Sequence, residues 1–190
     1  AGQSCVLQVL RCILNLVRSP ATKRGPCISP CIPLLETLGS SQSLSTQGWQ
    51  LLLQIIGCIT YQYTSQDVPI TWTFDLLNKH CSNHREPQLQ LLAVIAVANL
   101  SLYVATSPQC NIPLPVDEDE WVMLLDSSRQ AIVLNVLRLC ANMSASAVQY
   151  TELQSAVTQL SLSMDRGARW ENRLAGHSAA AFIGGNMAAK

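Results

Sequence analysis

The chain has 190 residues, 48% of them hydrophobic and only 13% charged, enough apolar material to pack a core in one sizeable domain. Its twelve basic and twelve acidic side chains cancel, so no net field draws it to nucleic-acid phosphates or anionic lipid. The longest apolar run, Leu91 to Ala98, falls well short of the ~20 residues a membrane-spanning helix needs, and no membrane or nucleic-acid partner is expected.

In chain order, the opening Ala1-Gly2-Gln3-Ser4 leads into an amphipathic segment containing Arg11 and not into a secretory signal. The expected location is intracellular, cytoplasmic or nuclear. Ile32 to Leu38 reads as a short helix ending at Gly39, followed by a Ser/Gln-rich turn through Thr46 and a long helix carrying Trp49. Pro69 to Lys79 repeats the short helix, and Pro87 is placed as the first-turn proline of the next long one. A loop with Pro113, Pro115 and Asp117-Glu118-Asp119-Glu120 precedes a helix over Glu120 to Leu125, and a further helix spans Glu152 to Ser163. Strand alternation bounded by turn signals is absent throughout. Both ends read as cuts within or beside helices, so the chain is expected to be part of a larger protein.

Four segments share an apolar helix that closes on Asn followed by Leu or Met: Ile13-Leu14-Asn15-Leu16, Val97-Ala98-Asn99-Leu100, Cys140-Ala141-Asn142-Met143 and Gly184-Gly185-Asn186-Met187. The asparagines are 84, 43 and 44 residues apart, and halving the first gap lands on Gly57 in an otherwise similar helix. Five units spaced 42 to 44 residues, ending near 18, 64, 106, 147 and 190, match the period of roughly 40–47 residues of armadillo and HEAT repeats. Relative to each asparagine, the residues five before, two before and one after share one helical face. They are Leu10, Ile13 and Leu16; Leu52, Ile55 and Cys58; Val94, Val97 and Leu100; Leu137, Cys140 and Met143; and Ala181, Gly184 and Met187. These are the expected core. The residue four before lies on a different face with the asparagine and varies in character: Arg11, Leu53, Ile95, Arg138 and Phe182.

Cys31-Ile32-Pro33-Leu34-Leu35 followed by a serine turn and a long apolar helix resembles an armadillo repeat, as does Ala96-Val97-Ala98-Asn99-Leu100-Ser101. The resemblance covers nearly the whole chain and implies an all-α fold, a right-handed α-solenoid of armadillo-type repeats over residues 1–190. It further implies that the third helices line a concave groove in which Asn15, Asn99, Asn142 and Asn186 hold the backbone of an extended peptide. The import receptors of that family carry tryptophan four residues before the asparagine. Here Arg11, Leu53, Ile95, Arg138 and Phe182 stand instead, which argues against basic localisation peptides as ligands. The last two units also resemble repeats of a large centriolar protein, which implies a place in such an assembly and a centrosomal location.

The expected partner surface is thus Arg11, Asn15, Leu53, Ile95, Asn99, Arg138, Asn142, Phe182 and Asn186, and its expected occupant is a protein or peptide with an acidic or apolar helix. On this reading, replacing Arg138 and Asn142 weakens a partner and leaves the melting curve nearly unchanged. An equally weighted reading has the asparagines bonding to the neighbouring repeat. A third has the chain as a terminal structural segment of a longer solenoid, self-associating or capping it.

No enzyme, cofactor or metal is expected. Cys5, Cys12, Cys58 and Cys140 lie in apolar helical stretches, where cysteine acts as a small hydrophobe, so the eight cysteines read as reduced thiols. His80, Cys81 and His84, and Cys27 with Cys31, lack the paired spacing of a structural zinc site. His177 has no companion acid or thiol nearby in sequence. The acidic run from Asp117 lacks the glycine and spacing of a calcium loop and reads as carboxylates favourable to a helix N-terminus.

Overall fold

The computed structural model describes residues 2–19, 28–41, 43–62, 72–106, 118–143 and 151–164. They are helical, with no strand among the described residues. The helices are α1 (Gly2–Arg18), α2 (Ile32–Ser40), α3 (Thr46–Gln62), α4 (Thr73–Cys81), α5 (Pro87–Thr106), α6 (Glu118–Leu125), α7 (Gln130–Asn142) and α8 (Thr151–Met164). The chain divides into two compact units, residues 1–96 and 97–190, with the division inside α5.

Local chemistry sets the boundaries. A single 3-10 turn, Ser29–Cys31, feeds α2, whose Pro33 sits in the first turn where the missing N–H costs nothing. Ser45 starts α3 by accepting the Gly48 amide on its hydroxyl at 3.2 Å, as an N-cap does. Pro87 opens α5 as the sequence requires, and the Glu86 carbonyl takes the first helical bond, from the Gln90 amide at 3.0 Å. The helix expected over Pro69 to Lys79 starts at Thr73 and continues to Cys81, and positions 69–71 lie outside the described residues. α6 begins two residues earlier than expected, at Glu118, which brings three carboxylates into its first turn.

In the first unit α1 packs along α3, and α2 packs on α4. Leu10, Ile13, Leu14 and Val17 of α1 are buried, as are Leu52, Leu53, Ile55, Ile56 and Ile59 of α3. Each such side chain removed from water contributes about 1.5–3 kcal/mol. In the second unit α6 lies against both α7 and α8, with Trp121 fully buried. Glu118 ties that corner together, because its carboxylate accepts the Leu153 amide near the start of α8 at 2.8 Å. The acidic run thus serves two helix N-termini, its own and that of α8. α5 carries no charged residue, and Leu89, Ala93, Val94, Ala96, Val97, Ala98 and Leu100 are all fully buried.

The core stripe read from the repeat holds at Leu10, Ile13, Leu52, Ile55, Val94, Val97, Leu100, Leu137, Cys140 and Met143, all buried. Two positions depart from it. Cys58 is half-buried, and Leu16 is exposed at 39%, because the buried side of α1 is that of Leu10, Ile13, Leu14 and Val17, from which Leu16 is turned away. Ala181, Gly184 and Met187 fall outside the described residues.

Candidate functional site

The asparagine positions do not have a common environment. On α1, Arg11 and Asn15 are both exposed, one turn apart. On α3 the counterpart of Arg11 is Leu53, which is fully buried, so this residue is a core side chain and not a groove contact. Its apolar character settles the matter, since α3 has neighbours that a leucine can pack against. On α5, Ile95 is half-buried and Asn99 is 6% exposed. Phe182 and Asn186 lie outside the described residues.

On α7, Arg138 and Asn142 are half-buried. Asn142 donates from Nδ2 to the Ala98 carbonyl at 3.1 Å and to the Ser101 hydroxyl at 3.0 Å, both on α5. Ser101 itself donates to the Ala98 carbonyl at 2.8 Å, so one buried carbonyl on α5 receives a hydroxyl and an amide. The Asn142 amide is therefore a strut between α7 and α5, the role that the neighbouring-repeat reading assigned to these asparagines. With these two bonds, replacing Asn142 is expected to cost stability, a different expectation from the one read from the sequence. The residues bonded lie 44 and 41 positions back in the chain.

The cysteine and histidine candidates separate. His80 is buried at 3% exposure, its ring 5.1 Å from the Trp49 ring and tilted by 54°, and the Lys79 ammonium lies 5.5 Å from the same indole. Neither ring nitrogen of His80 has a hydrogen-bond partner. Burial holds the His80 pKa below its ordinary 6.5, the neighbouring Lys79 charge lowers it further, and Glu86 opposes both. His84 pairs through Nδ1 with the Gln90 side-chain amide at 3.1 Å, and that amide also donates to the Cys81 carbonyl at 2.8 Å. These bonds close the α4–α5 turn. Among the described residues no group of three or more His, Cys, Asp or Glu side chains is placed to hold a metal ion. Cys27 and His177 lie outside the described residues.

Cys5, Cys12, Cys31, Cys58, Cys81 and Cys140 are free thiols. Cys5 and Cys12 are exposed, whereas burial pushes the Cys140 pKa up to about 12. Sequence reasoning missed one feature altogether. Cys5, Val9, Cys12 and Leu16, at steps of four, three and four, form an exposed apolar stripe on α1. The signal lies in the spacing, but the repeat register groups Leu16 with Leu10 and Ile13 on one face.

An apolar cleft of about 230 Å³ lies at the start of α1 in the first unit, lined by Val6, Leu7, Leu38 and Leu44 among others. It contains no titratable group. No helix among the described residues is long and apolar enough to cross a membrane. No protein-family model matches this chain, and no curated protein matches it.

Proposed function

We propose that the chain is a non-enzymatic binding scaffold built of armadillo-type helical repeats, which takes up a partner protein segment along the outward stripes of its long helices. The observation that supports this reading most is the division of α1. Arg11 and Asn15 are exposed on one side, and Leu10, Ile13, Leu14 and Val17 are buried on the other. A long cation and an amide one turn apart suit a ligand with a carboxylate and a free backbone group, since guanidinium binds carboxylate through two parallel hydrogen bonds. The half-buried Arg138 offers the same chemistry in the second unit. Leu53, Asn99 and Asn142 leave the contact set, because the first two are buried and the third braces α5.

Selection of a displayed peptide library on the intact chain tests the proposal. The expected result is enrichment of segments pairing Asp or Glu with an apolar anchor, and at least a tenfold loss of their affinity in Arg11→Ala with Asn15→Ala. Truncating an anchoring contact typically costs about 1–3 kcal/mol or more. Selected peptides without acidic residues, or peptides bound equally by the double variant, would overturn it.

A further inference from the structure

The end of α4 and the turn into α5 carry Lys79, His80, His84, Arg85 and Glu86, and both imidazoles stand where a proton is unwelcome. The Gln90 side chain, buried at 4% exposure, bridges this turn. Its amide nitrogen donates to the Cys81 carbonyl at 2.8 Å, and the same nitrogen faces Nδ1 of His84 at 3.1 Å. A carbonyl can only accept, which fixes the amide group as the end of Gln90 at this point, and an amide nitrogen accepts nothing. Nδ1 of His84 is therefore the acceptor, and the proton of the neutral ring sits on Nε2. An imidazolium has a hydrogen on both nitrogens, so its Nδ1–H would confront the Gln90 N–H. Four residues earlier, His80 packs at 3% exposure against the Trp49 ring with neither nitrogen hydrogen-bonded, and a charge gained there finds no acceptor and little water.

Charged neighbours compensate only in part. α3 and α5 carry no charged side chain, α2 carries Glu36 alone, and α4 carries Asp75 and Lys79, all three of them exposed. The Lys79 ammonium lies over the indole that His80 touches, and Arg85 follows His84. Glu86 is the one carboxylate of the turn, set against both cations before either imidazole takes a proton. Burial and Lys79 hold the His80 pKa below its ordinary 6.5 against the opposing pull of Glu86.

We infer that Gln90, His84 and His80 form an acid-released clasp, which holds the end of α4 to the start of α5 while both imidazoles are neutral and opens locally when they gain protons. Histidine exchanges its proton between pH 5 and 8, so the clasp is closed at neutral pH and released in mild acid. The sign follows from proton uptake on opening: closure is complete above the histidine range and weakens below it, by up to about tenfold per pH unit for each proton that only the open form binds. On opening, Gln90 leaves the Cys81 carbonyl, and the Cys81 thiol, at 0% exposure when closed, meets solvent. The clasp lies within the first unit and does not depend on the partner surface proposed above.

Thiol labelling of the intact chain tests this. At each pH the rate at which a pyridyl disulfide modifies Cys81, located by peptide mapping, is compared with the rate for the same thiol in the urea-unfolded chain, which cancels the titration of the thiol itself. Protection of Cys81 is expected to fall by about tenfold or more from pH 7.5 to pH 5.5, while that of Cys140, buried in the second unit, changes by less than about twofold. His84→Asn offers an oxygen in place of Nδ1 that takes no proton, and His80→Phe keeps a ring against Trp49. Each should shrink the fall, and the two together should remove it. Circular dichroism verifies folding, and the exposed His84→Asn decides alone where the buried replacement does not fold. Protection of Cys81 that does not change with pH would overturn the inference, as would an undiminished fall in folded His84→Asn. Parallel loss of protection at Cys81 and Cys140 would also overturn it, by making the acid response a global unfolding.

Discussion

Asn142 shows how a single side chain is shared between two helices, α7 and α5. Its amide makes two hydrogen bonds to α5, one of them to a carbonyl that Ser101 already uses. Removing the donor leaves those acceptors with fewer partners at a part-buried site, where lost bonds cost about 1–3 kcal/mol. Asn142→Ala is expected to destabilise by that amount in urea unfolding, and Asn142→Asp to do no better, because a carboxylate cannot donate to the Ala98 carbonyl. Unchanged unfolding midpoints in both would mean that the strut contributes nothing. Arg138→Ala alone, with a half-buried side chain on the same helix, separates binding from stability better than any variant of Asn142.

At the scale of the helix, Gly57 and the thiols give the clearest expectations. Gly57 occupies the asparagine slot in α3, and a Cβ built there meets nothing within 4 Å. Glycine inside a helix costs roughly 0.5–1 kcal/mol relative to alanine through the freedom of the unfolded chain. Gly57→Ala should therefore stabilise the protein by about that much, read as a higher urea midpoint, and a lower midpoint would show a hidden close approach. The thiols should rank by exposure and ionisation. Cys5 and Cys12 on the outer side of α1 should react quickly with a maleimide at neutral pH, while Cys81 and Cys140 wait for unfolding. Peptide mapping after brief labelling gives the order, and early modification of Cys140 would contradict its burial.

For the molecule as a whole, the balance of twelve basic and twelve acidic groups means that overall charge repulsion changes little near neutrality, and a specific buried group can dominate the pH response. His80 is one buried group of this kind. Its folded pKa lies below the unfolded 6.5, so the unfolded chain binds the proton more readily. Its contribution is present in full above pH 6.5 and is lost as the pH falls through 6.5 toward the folded value. Unfolding midpoints are expected to drop from pH 7.5 to pH 5.5 in the wild type and to drop less in His80→Phe, which keeps a ring against Trp49 without a nitrogen to protonate. Identical slopes in the two proteins would assign the acid sensitivity elsewhere.

The amino-acid sequence by itself determined the all-helical class, most helix starts and the buried stripe. Those depend on local signals, a proline or serine at a helix start and apolar residues at steps of three and four, which act within a few residues of one another. Leu10, Leu52, Val94 and Leu137 were legible as core for that reason. What only the tertiary structure decided was which of the remaining faces meets water. Arg11 and Leu53 hold the same register, yet one is exposed and the other fully buried. Asn15 and Asn142 likewise share a register in the sequence, yet Asn15 is exposed while Asn142 is half-buried and bonds α5. Leu16 and Leu100 share a third, with one at 39% exposure and the other at none. Periodicity specifies a direction around a helix axis, but exposure in that direction depends on what lies across from it, a property of residues forty or more positions away that no local spacing encodes.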